Sequence, residues 1–526
     1  MIQVKSRTVL WYYVFVGFAV NYMIRINVNI AIVDMVLEPK ALKSKKISNE
    51  CLVNATSDLS PTKIGPDLNT GGSNLTTVSN ILENSFSQSH PEESDKKIKY
   101  NWDESIQGMI LGAFYWMHWA TQFPGGVLAK KYGTKLVFGL GNVIACWMCF
   151  IAPMLARWDY RALIIFRVLQ GFVIGVAWPS MHNMTGQWIP PNERSKFVTA
   201  YMGCSIGIAI FYPLFGYIIE WLSWEWIFYS SGIIGSVWYI FWVLFVFDSP
   251  AQHPRITNEE REYIEGSLKG VVEQQKSLGK VPWTSILTSK VVWLNVIAMW
   301  GSIWGLFTLM TQAPTYFKYI HGWGITMTGV LSGIPHLMRV IFAYCFSTFG
   351  DWLLRNDKME RSYVRKLATF TCCCVNGFLV LGLAYSGCNS TAAIILLTTA
   401  TAVHGAITTG PLSSMVDISP NYASIVFGIS NTITVLPGFI SAAIVGYLTL
   451  GNQTVTSWKY VFFIAAGMLI ICGMIYVIFC KTTIQSWNTA KKDDDIEEME
   501  KLNYIKNEGA VTTYEFPRGP NTRANY

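Results

Sequence analysis

Long runs of apolar residues, each close to the thickness of a lipid bilayer, recur along the whole chain. A helix needs about 20 predominantly apolar residues to cross the hydrocarbon core. We predict twelve such helices, at residues 11–35, 105–128, 136–155, 161–187, 197–219, 226–246, 291–313, 326–349, 367–385, 392–411, 425–448 and 460–480. The predicted fold class is therefore all-α, and the chain is predicted to be a polytopic membrane protein.

A hydrophilic segment divides the twelve predicted helices into two sets of six. The predicted parts are an amino terminus (1–8), a six-helix bundle (9–246) with a polar loop at 38–103, a central loop (247–290), a second six-helix bundle (291–480) and a disordered tail (481–526). The motif GGVLAKKYGTK joins helices two and three, and FGDWLLRN joins helices eight and nine at the matching place. Two pseudo-repeats of six helices are typical of secondary transporters whose site lies between the halves, near the midplane.

The distribution of cations predicts which side each loop occupies. Lys and Arg concentrate on one side if the amino terminus, the central loop and the tail are cytoplasmic, as the positive-inside rule requires. The glycosylation sequons that then face the extracellular or luminal side are Asn54, Asn74, Asn389 and Asn452. Cys51 and Cys388 fall in loops on this same side and are placed to form a disulfide. The host membrane stays open between the plasma membrane and a lysosomal or vesicular membrane.

Composition agrees with a membrane protein and excludes several other classes. A soluble domain carries about 25% charged residues, whereas this chain carries 14% and is 51% hydrophobic. Its net charge of +7 comes from cations spread over short loops, so we expect a lipid bilayer as partner and no nucleic acid. The chain lacks a phosphate-binding GxxxxGK[ST] loop, a Ser-His-Asp pattern and a zinc-ligand pattern. We therefore expect no enzyme, no ATP-driven pump, no metal site and no cofactor.

Two arginines lie inside apolar helices, Arg25 in NYMIRIN and Arg167 in FRVLQG. A charged side chain at the bilayer centre costs about 2.5–3.5 kcal/mol on insertion scales, so it must face protein or a water-filled cavity. One hypothesis is that both guanidiniums bind a small anionic substrate, because their planar forks match phosphate and carboxylate. Asn27 and His118 are further candidates for that site. The alternative is a structural role, with ion pairs to acids such as Asp34 and simple packing for the others.

Three more charged residues are candidates for gating or pairing. Arg339 lies within predicted helix eight, and Asp351 is the acid of FGDWLLRN. Asp417, in MVDISPNYA, is assigned to the start of predicted helix eleven, with a structural role or ion binding as the two possibilities. His336 and His404 are either packing residues or proton carriers.

Several motifs resemble one family when they are taken together. The motifs are NYMIRINVNIAIV, FRVLQGFVIGVAWPSMHNMTGQWIPPNERSK and VDISPNYASIVFGISNTITVLPGFI. They resemble the anion:cation symporter branch of the major facilitator superfamily, which includes sialin, the vesicular glutamate transporters and the sodium-dependent phosphate transporters. Within that branch the resemblance is to the inorganic phosphate cotransporters. It implies a major facilitator fold and a role for Arg25 and Arg167 in holding an anionic substrate.

The chain departs from part of this branch in predicted helix four. Sialin-like and vesicular members have an acid where this chain has Ile174, and sialin has another where it has Gln170. Because those acids are tied to proton coupling, their absence favours sodium as the co-transported cation. The first interpretation is sodium-coupled symport of inorganic phosphate or an organic anion. The second is a proton-coupled transporter of acidic sugars or amino acids, and a non-transporting receptor or channel is the alternative from another class.

Overall fold

The computed structural model describes residues 5–37, 51, 99–190, 197, 199–277, 281–420 and 422–488. Within these residues all regular elements are helices, and one isolated bridge joins Val36 to Tyr100. Eleven of the helices are long and apolar enough to cross a membrane. The predicted all-α, polytopic fold class is confirmed.

We number the membrane helices α1 to α12, with α1–α6 forming the first half and α7–α12 the second half. Their bounds are α1 Ser6–Met35, α2 Glu104–Trp116 continued by Gln122–Tyr132, α3 Thr134–Trp158, α4 Tyr160–Trp188, α5 Thr199–Trp221, α6 Glu225–Phe245, α7 Lys290–His321, α8 Ile325–Arg355, α9 Arg361–Ala384, α10 Ser390–Ile418, α11 Ile425–Leu448 and α12 Val455–Phe479. Each lies where the sequence predicts an apolar span.

Helix α2 differs from the predicted continuous span, because it is interrupted at mid-length. Its two helices are joined by a tight 3-10 turn at His118–Thr121. The turn packs against α4, where the Thr121 hydroxyl donates to the carbonyl of Phe172 at 2.8 Å. The approach of the two helices is so close that a Cβ on Gly171 would lie 1.8 Å from the carbonyl oxygen of Phe114. A 3-10 turn inside a helix often marks a functional hinge.

A disulfide between Cys51 and Cys388 joins the loop that follows α1 to the loop between α9 and α10, with the two Cα atoms 5.0 Å apart. The predicted pairing is confirmed. We call the end of the bundle that carries this bond, together with Met35, Glu104 and Leu448, the disulfide end.

The two halves meet closely at the disulfide end, through α2 against α11 and α5 against α8. A Cβ on Gly108 would lie 2.8 Å from the carbonyl oxygen of Ala442, and a Cβ on Gly329 would lie 2.5 Å from that of Tyr212. Glycine is required at such points because any side chain would push the helices apart. The crevice between the halves is therefore closed at this end.

The central loop contains a helix that the sequence analysis did not predict, Asn258–Ser277. Its Glu260 carboxylate accepts hydrogen bonds from the backbone amides of Ser6, at 2.9 Å, and Arg7, at 3.3 Å. It also forms an ion pair with the Arg7 side chain at 3.0 Å. An acid at these positions satisfies amides that a helix start leaves unpaired. This explains why α1 begins before the predicted residue 11.

Candidate functional site

Arg25 lies within α1, closer to the end at Met35 than to the start at Ser6, and is 3% exposed. Its Nη2 is 3.0 Å from Nε2 of His118, in the α2 turn, and its guanidinium lies 4.5 Å from the ring centre of Tyr22. Its Nε is buried without a hydrogen-bond partner. The sequence therefore correctly places a buried cation here, and the structure brings His118 to it.

The contact between Arg25 and His118 sets the protonation state of the imidazole. A guanidinium has only donors, so His118 Nε2 must accept. The proton then sits on Nδ1, which lies 3.0 Å from the carbonyl oxygen of Gly171 and donates to it. A second proton, on Nε2, would abolish the hydrogen bond from Arg25, because the N–H groups of Arg25 and His118 would then face each other. The hydrogen bond between Arg25 and His118 thus requires a neutral imidazole.

Arg167 is 1% exposed and is turned towards the backbone of α1. Its Nη1 donates to the carbonyl of Ile24 at 3.2 Å and to Oε1 of Gln170 at 2.7 Å, while Nη2 donates to the carbonyl of Arg25 at 3.2 Å. Gln170 in turn donates to the carbonyl of Ala145 on α3 at 2.9 Å. Arg167 therefore fixes the turn of α1 that carries Arg25.

Neither arginine has an acidic partner in the part of the chain that the structure describes. The ion pairs there join Arg7 to Glu260, Arg157 to Glu225, Arg261 to Glu265, and Arg361 and Arg365 to Asp417. The alternative of an ion pair between Asp34 and either buried arginine finds no support in these contacts. Two positive charges thus lie close together in a low-dielectric region, and no carboxylate of the described residues pairs with either of them.

Asn27 does not share in this arrangement. Its side-chain amide is fully buried and points to Cys149 on α3, with Nδ2 3.5 Å from the sulfur, and its Oδ1 accepts from the amide of Val28. The structure therefore separates Asn27 from the guanidinium heads, although it lies only two residues from Arg25.

Arg339 approaches from the second half. It is 9% exposed, and its Nη1 donates to the Ser205 hydroxyl of α5 at 3.0 Å, across the boundary between the halves. Tyr22 interacts electrostatically with both Arg25 and Arg339. Sequence reasoning treated Arg339 separately from the other two arginines. All three arginines are cations inside apolar helices. This shared feature of the sequence would have been enough to assign them to one site.

The two acids assigned to gating or pairing, Asp417 and Asp351, form no ion pair with these arginines. Asp417 sits near the end of α10, not at the start of α11 as predicted, because α10 ends before Pro420, which has no amide to continue it. Its carboxylate pairs with Arg365 on α9 at 2.6 Å and with Arg361 at 3.6 Å. Asp351 is exposed near the end of α8 and has no ion pair among the described residues.

The remaining assigned residues are the sequons. Asn389 and Asn452 are exposed in loops at the disulfide end, and Asn389 also caps α10 by accepting from the amide of Ala392 at 3.0 Å. Asn54 and Asn74 lie outside the described residues, as do most of the 38–103 loop and of the tail. Among the residues that are described, no three acids, histidines or cysteines are grouped to hold a metal ion.

Comparison with known proteins identifies the family. Residues 14–442 match the model of the Major Facilitator Superfamily. The chain is 33% identical over 474 residues to sialin of Ovis aries, which covers 90% of this chain and 89% of sialin. It is 34% identical over 449 residues to vesicular glutamate transporter 2 of Homo sapiens, covering 82% and 75%. These relatives are transporters and not enzymes.

Solved structures share the fold at low identity. A D-xylose–proton symporter aligns with a TM-score of 0.55 at 13% identity, over 91% of this chain and 100% of the other. A bacterial homolog of the human lysosomal transporter Spinster, inward-facing and unoccupied, aligns with a TM-score of 0.57 at 13% identity, over 90% and 97%. The solved structures show the fold, while the family model and the curated relatives confirm the family resemblance seen in the motifs. The chain is a multi-pass membrane protein that belongs to the major facilitator superfamily, in the anion:cation symporter branch of sialin and the vesicular glutamate transporters.

Proposed function

We propose that this protein is a secondary transporter that moves a small anion across the membrane by alternating access, with Arg25 as the principal anion-binding residue. The observation that carries the proposal is the state of Arg25: a buried guanidinium with no carboxylate among the described residues and an unpartnered Nε. A cation at membrane depth is costly and is usually functional. An anionic cargo would supply the missing acceptors.

Arg167 contributes to this site mainly through position and charge. Its hydrogen bonds to the carbonyls of Ile24 and Arg25 hold the turn of α1 on which the binding residue stands. Its positive charge adds to the potential that attracts an anion, since Arg167 and Arg25 lie within electrostatic range of each other. From the sequence we expected both guanidiniums to bind the cargo. We now propose that Arg25 binds it and that Arg167 supports Arg25.

The closed disulfide end supports alternating access. Two halves that touch through glycines at one end can separate there by rocking, which would open the opposite end in turn. We expect the disulfide end to face the extracellular or luminal side, as the cation distribution predicts.

Sodium-coupled symport of inorganic phosphate or an organic anion remains the first candidate for the coupled reaction. On α4, Ile174 offers no acid, and Gln170 is engaged by Arg167 and by the carbonyl of Ala145. At these two positions α4 therefore has no carboxylate that could carry a coupled proton.

A proton-coupled transporter of acidic sugars or amino acids is the second candidate, and one contact favours it. His118 accepts from Arg25 only while its imidazole is neutral. Protonation would release Arg25 and so link the anion site to pH. The naming of one relative as a glutamate transporter points the same way.

Uptake into vesicles tests the proposal. The full chain is reconstituted, and uptake of radiolabelled inorganic phosphate and glutamate is measured with sodium and pH gradients imposed separately. We expect saturable, gradient-dependent uptake, which a receptor or channel would not give. Arg25→Gln should lower it about a hundredfold, since it removes a charge-assisted contact to the cargo.

The matched control is Arg261→Gln, which removes an exposed cation of the central helix that pairs with Glu265. It should transport like the wild type. Normal uptake by correctly inserted Arg25→Gln protein would contradict the assignment of the site.

A further inference from the structure

Helix α8 carries a stripe of buried polar residues that the proposed function does not yet use. Thr328, Ser332, His336 and Arg339 recur at spacings of four, four and three residues, so they share one face of the helix. Their exposed fractions are 0%, 2%, 3% and 9%. We call these four residues the α8 stripe.

Three of the four members have polar atoms without partners. The Thr328 hydroxyl, the Ser332 hydroxyl and Nδ1 of His336 are buried and make no hydrogen bond. Buried polar groups are normally paired, and each exception requires an explanation such as a missing ligand. A run of three on one helix face indicates a surface that is built to meet polar groups of a bound molecule.

The stripe lies beside the boundary between the halves. Gly329, next to Thr328, is so close to α5 that its Cβ would meet the carbonyl oxygen of Tyr212, and its next neighbour is Ile30 of α1. At the other end of the stripe, Arg339 reaches Ser205 of α5. The polar face of α8 therefore borders the first half, which carries Arg25.

Arg339 has donors to spare. A guanidinium has five N–H groups, and the hydrogen bond of Arg339 to Ser205 uses one of them. Its surroundings offer no negative charge: the ion pairs among the described residues involve other side chains, and the titratable groups near it are His336, His404 and Tyr22. Each of the two histidines keeps an unpartnered Nδ1.

Arg339 reaches the first half at Ser205 of α5, and α5 packs directly on α1, where a Cβ on Gly207 would lie 2.7 Å from the Ala19 carbonyl oxygen. Arg25 lies on the same α1 helix with its guanidinium against the ring of Tyr22, so the two arginines approach one region from opposite halves. Like charges on the two halves oppose closure of the crevice, and neither arginine has a counter-ion among the described residues. A cargo with one negative charge can satisfy one of these arginines. A cargo with two can satisfy both and bring the halves together.

We propose that the α8 stripe is the second wall of the anion site and that the cargo is a divalent anion, with one acidic group or charge held by Arg25 and the other by Arg339. Hydrogen phosphate, sulfate and dicarboxylates belong to this class. The inference rests on the proposed function and deepens it, since it names the charge of the substrate and the residue that selects it.

The test compares anions of similar size and different charge. The full chain is reconstituted, and uptake of radiolabelled glutarate, butyrate, sulfate and inorganic phosphate is measured for the wild type, Arg339→Gln, Arg339→Lys and Ser332→Ala. The matched control is Thr348→Ala, on the same helix but exposed. We expect the wild type to prefer glutarate to butyrate.

Arg339→Gln should lower uptake of the divalent anions about ten- to hundredfold, as expected for loss of one charge-assisted hydrogen bond, and leave butyrate almost unchanged. Arg339→Lys should keep the preference in part, Ser332→Ala should weaken it, and Thr348→Ala should retain it fully. Equal losses for glutarate and butyrate in Arg339→Gln, or a wild type that carries both equally well, would overturn the inference while leaving anion transport intact. A wild type that carries none of the four would overturn the proposed function as well.

Discussion

Buried arginines that look alike in the sequence perform different tasks in the structure. Arg25 donates a hydrogen bond to a neutral imidazole, whereas Arg167 has three hydrogen bonds to carbonyl and amide oxygens. The difference arises because the Arg167 side chain extends from α4 to α1, where the carbonyls of Ile24 and Arg25 accept its hydrogen bonds. The role of each arginine is therefore determined by the helix that its side chain contacts as well as by the helix to which it belongs.

A conservative change at Arg167 tests this division of labour. Lysine keeps the charge, but its ammonium cannot span the carbonyls of Ile24 and Arg25 together with Gln170. We expect Arg167→Lys to lose about 1.5–3 kcal/mol of stability, because charge-assisted hydrogen bonds are broken, and to lose uptake as well. Thermal unfolding in detergent gives the first quantity. The control is Arg161→Lys, on the same helix but exposed.

An unchanged unfolding temperature for Arg167→Lys would show that the bonds to α1 do not hold that helix in place. Loss of uptake without loss of stability would instead place Arg167 directly on the cargo.

At the residue scale, the sequence could reveal which charges are buried but not which way they point. The apolar runs around Arg25, Arg167 and Arg339 show the burial, and the scarcity of acids at that depth shows that ion pairs are few. Asn27 illustrates the limit, since it is two residues from Arg25 yet turns to Cys149 on α3. Whether a side chain faces a crevice or a neighbouring helix is decided by contacts between distant parts of the chain.

At the scale of whole helices, hydropathy locates the spans well and misses what tertiary contacts impose on them. The start of α1 depends on Glu260, which caps Ser6 and Arg7 from the central loop. The interruption of α2 depends on α4, whose Gly171 and Phe172 carbonyls bind His118 and Thr121. Neither contact leaves a trace in a local apolar pattern, which is why a continuous helix was predicted at residues 105–128.

The glycine contacts between α5 and α8 yield a prediction about conformation. A valine at Gly329 would place its Cβ 2.5 Å from the carbonyl oxygen of Tyr212, so the helices must move apart. We expect Gly329→Val to fold but to hold the disulfide end open and to transport poorly. In that background, a membrane-impermeant thiol reagent added on the disulfide side should modify Ser332→Cys faster.

The control is Gly324→Val, because no heavy atom lies within 4 Å of a Cβ at Gly324. It should leave both the rate of thiol modification and the rate of transport unchanged. Equal rates of modification in the Gly329→Val and parent proteins would mean that this contact does not close the crevice.

At the scale of the whole molecule, the two halves are linked by the central loop and by the Cys51–Cys388 bond. The bond closes a loop with a sequence separation of 337 residues. It also fixes the loop of the first half to that of the second at the end where the halves meet. The pairing could be foreseen because both cysteines fall in polar loops on the same predicted side.

Removal of this bond should weaken the fold. A disulfide typically contributes about 2–4 kcal/mol, chiefly by restricting the unfolded chain. We expect Cys51→Ser and mild reduction of the wild type to lower the unfolding temperature by the same amount, with no further effect of reductant on the variant. Cys345→Ser is the control, since Cys345 is a free, exposed thiol. A wild type that is insensitive to reductant would exclude a stabilising bond.

Arg25 is buried without an acidic partner among the described residues, and we attribute this to an anion that binds there. Anion-dependent stabilisation of the purified protein tests it most directly, since a ligand that binds only the folded state raises its stability by about 2.7 kcal/mol at one hundred times its dissociation constant. With phosphate, glutarate and glutamate titrated in turn, the wild type should show a saturable rise in unfolding temperature with at least one of them, and Arg25→Gln should show none. An equal rise in Arg25→Gln, or none in the wild type with any of the three, would contradict the account.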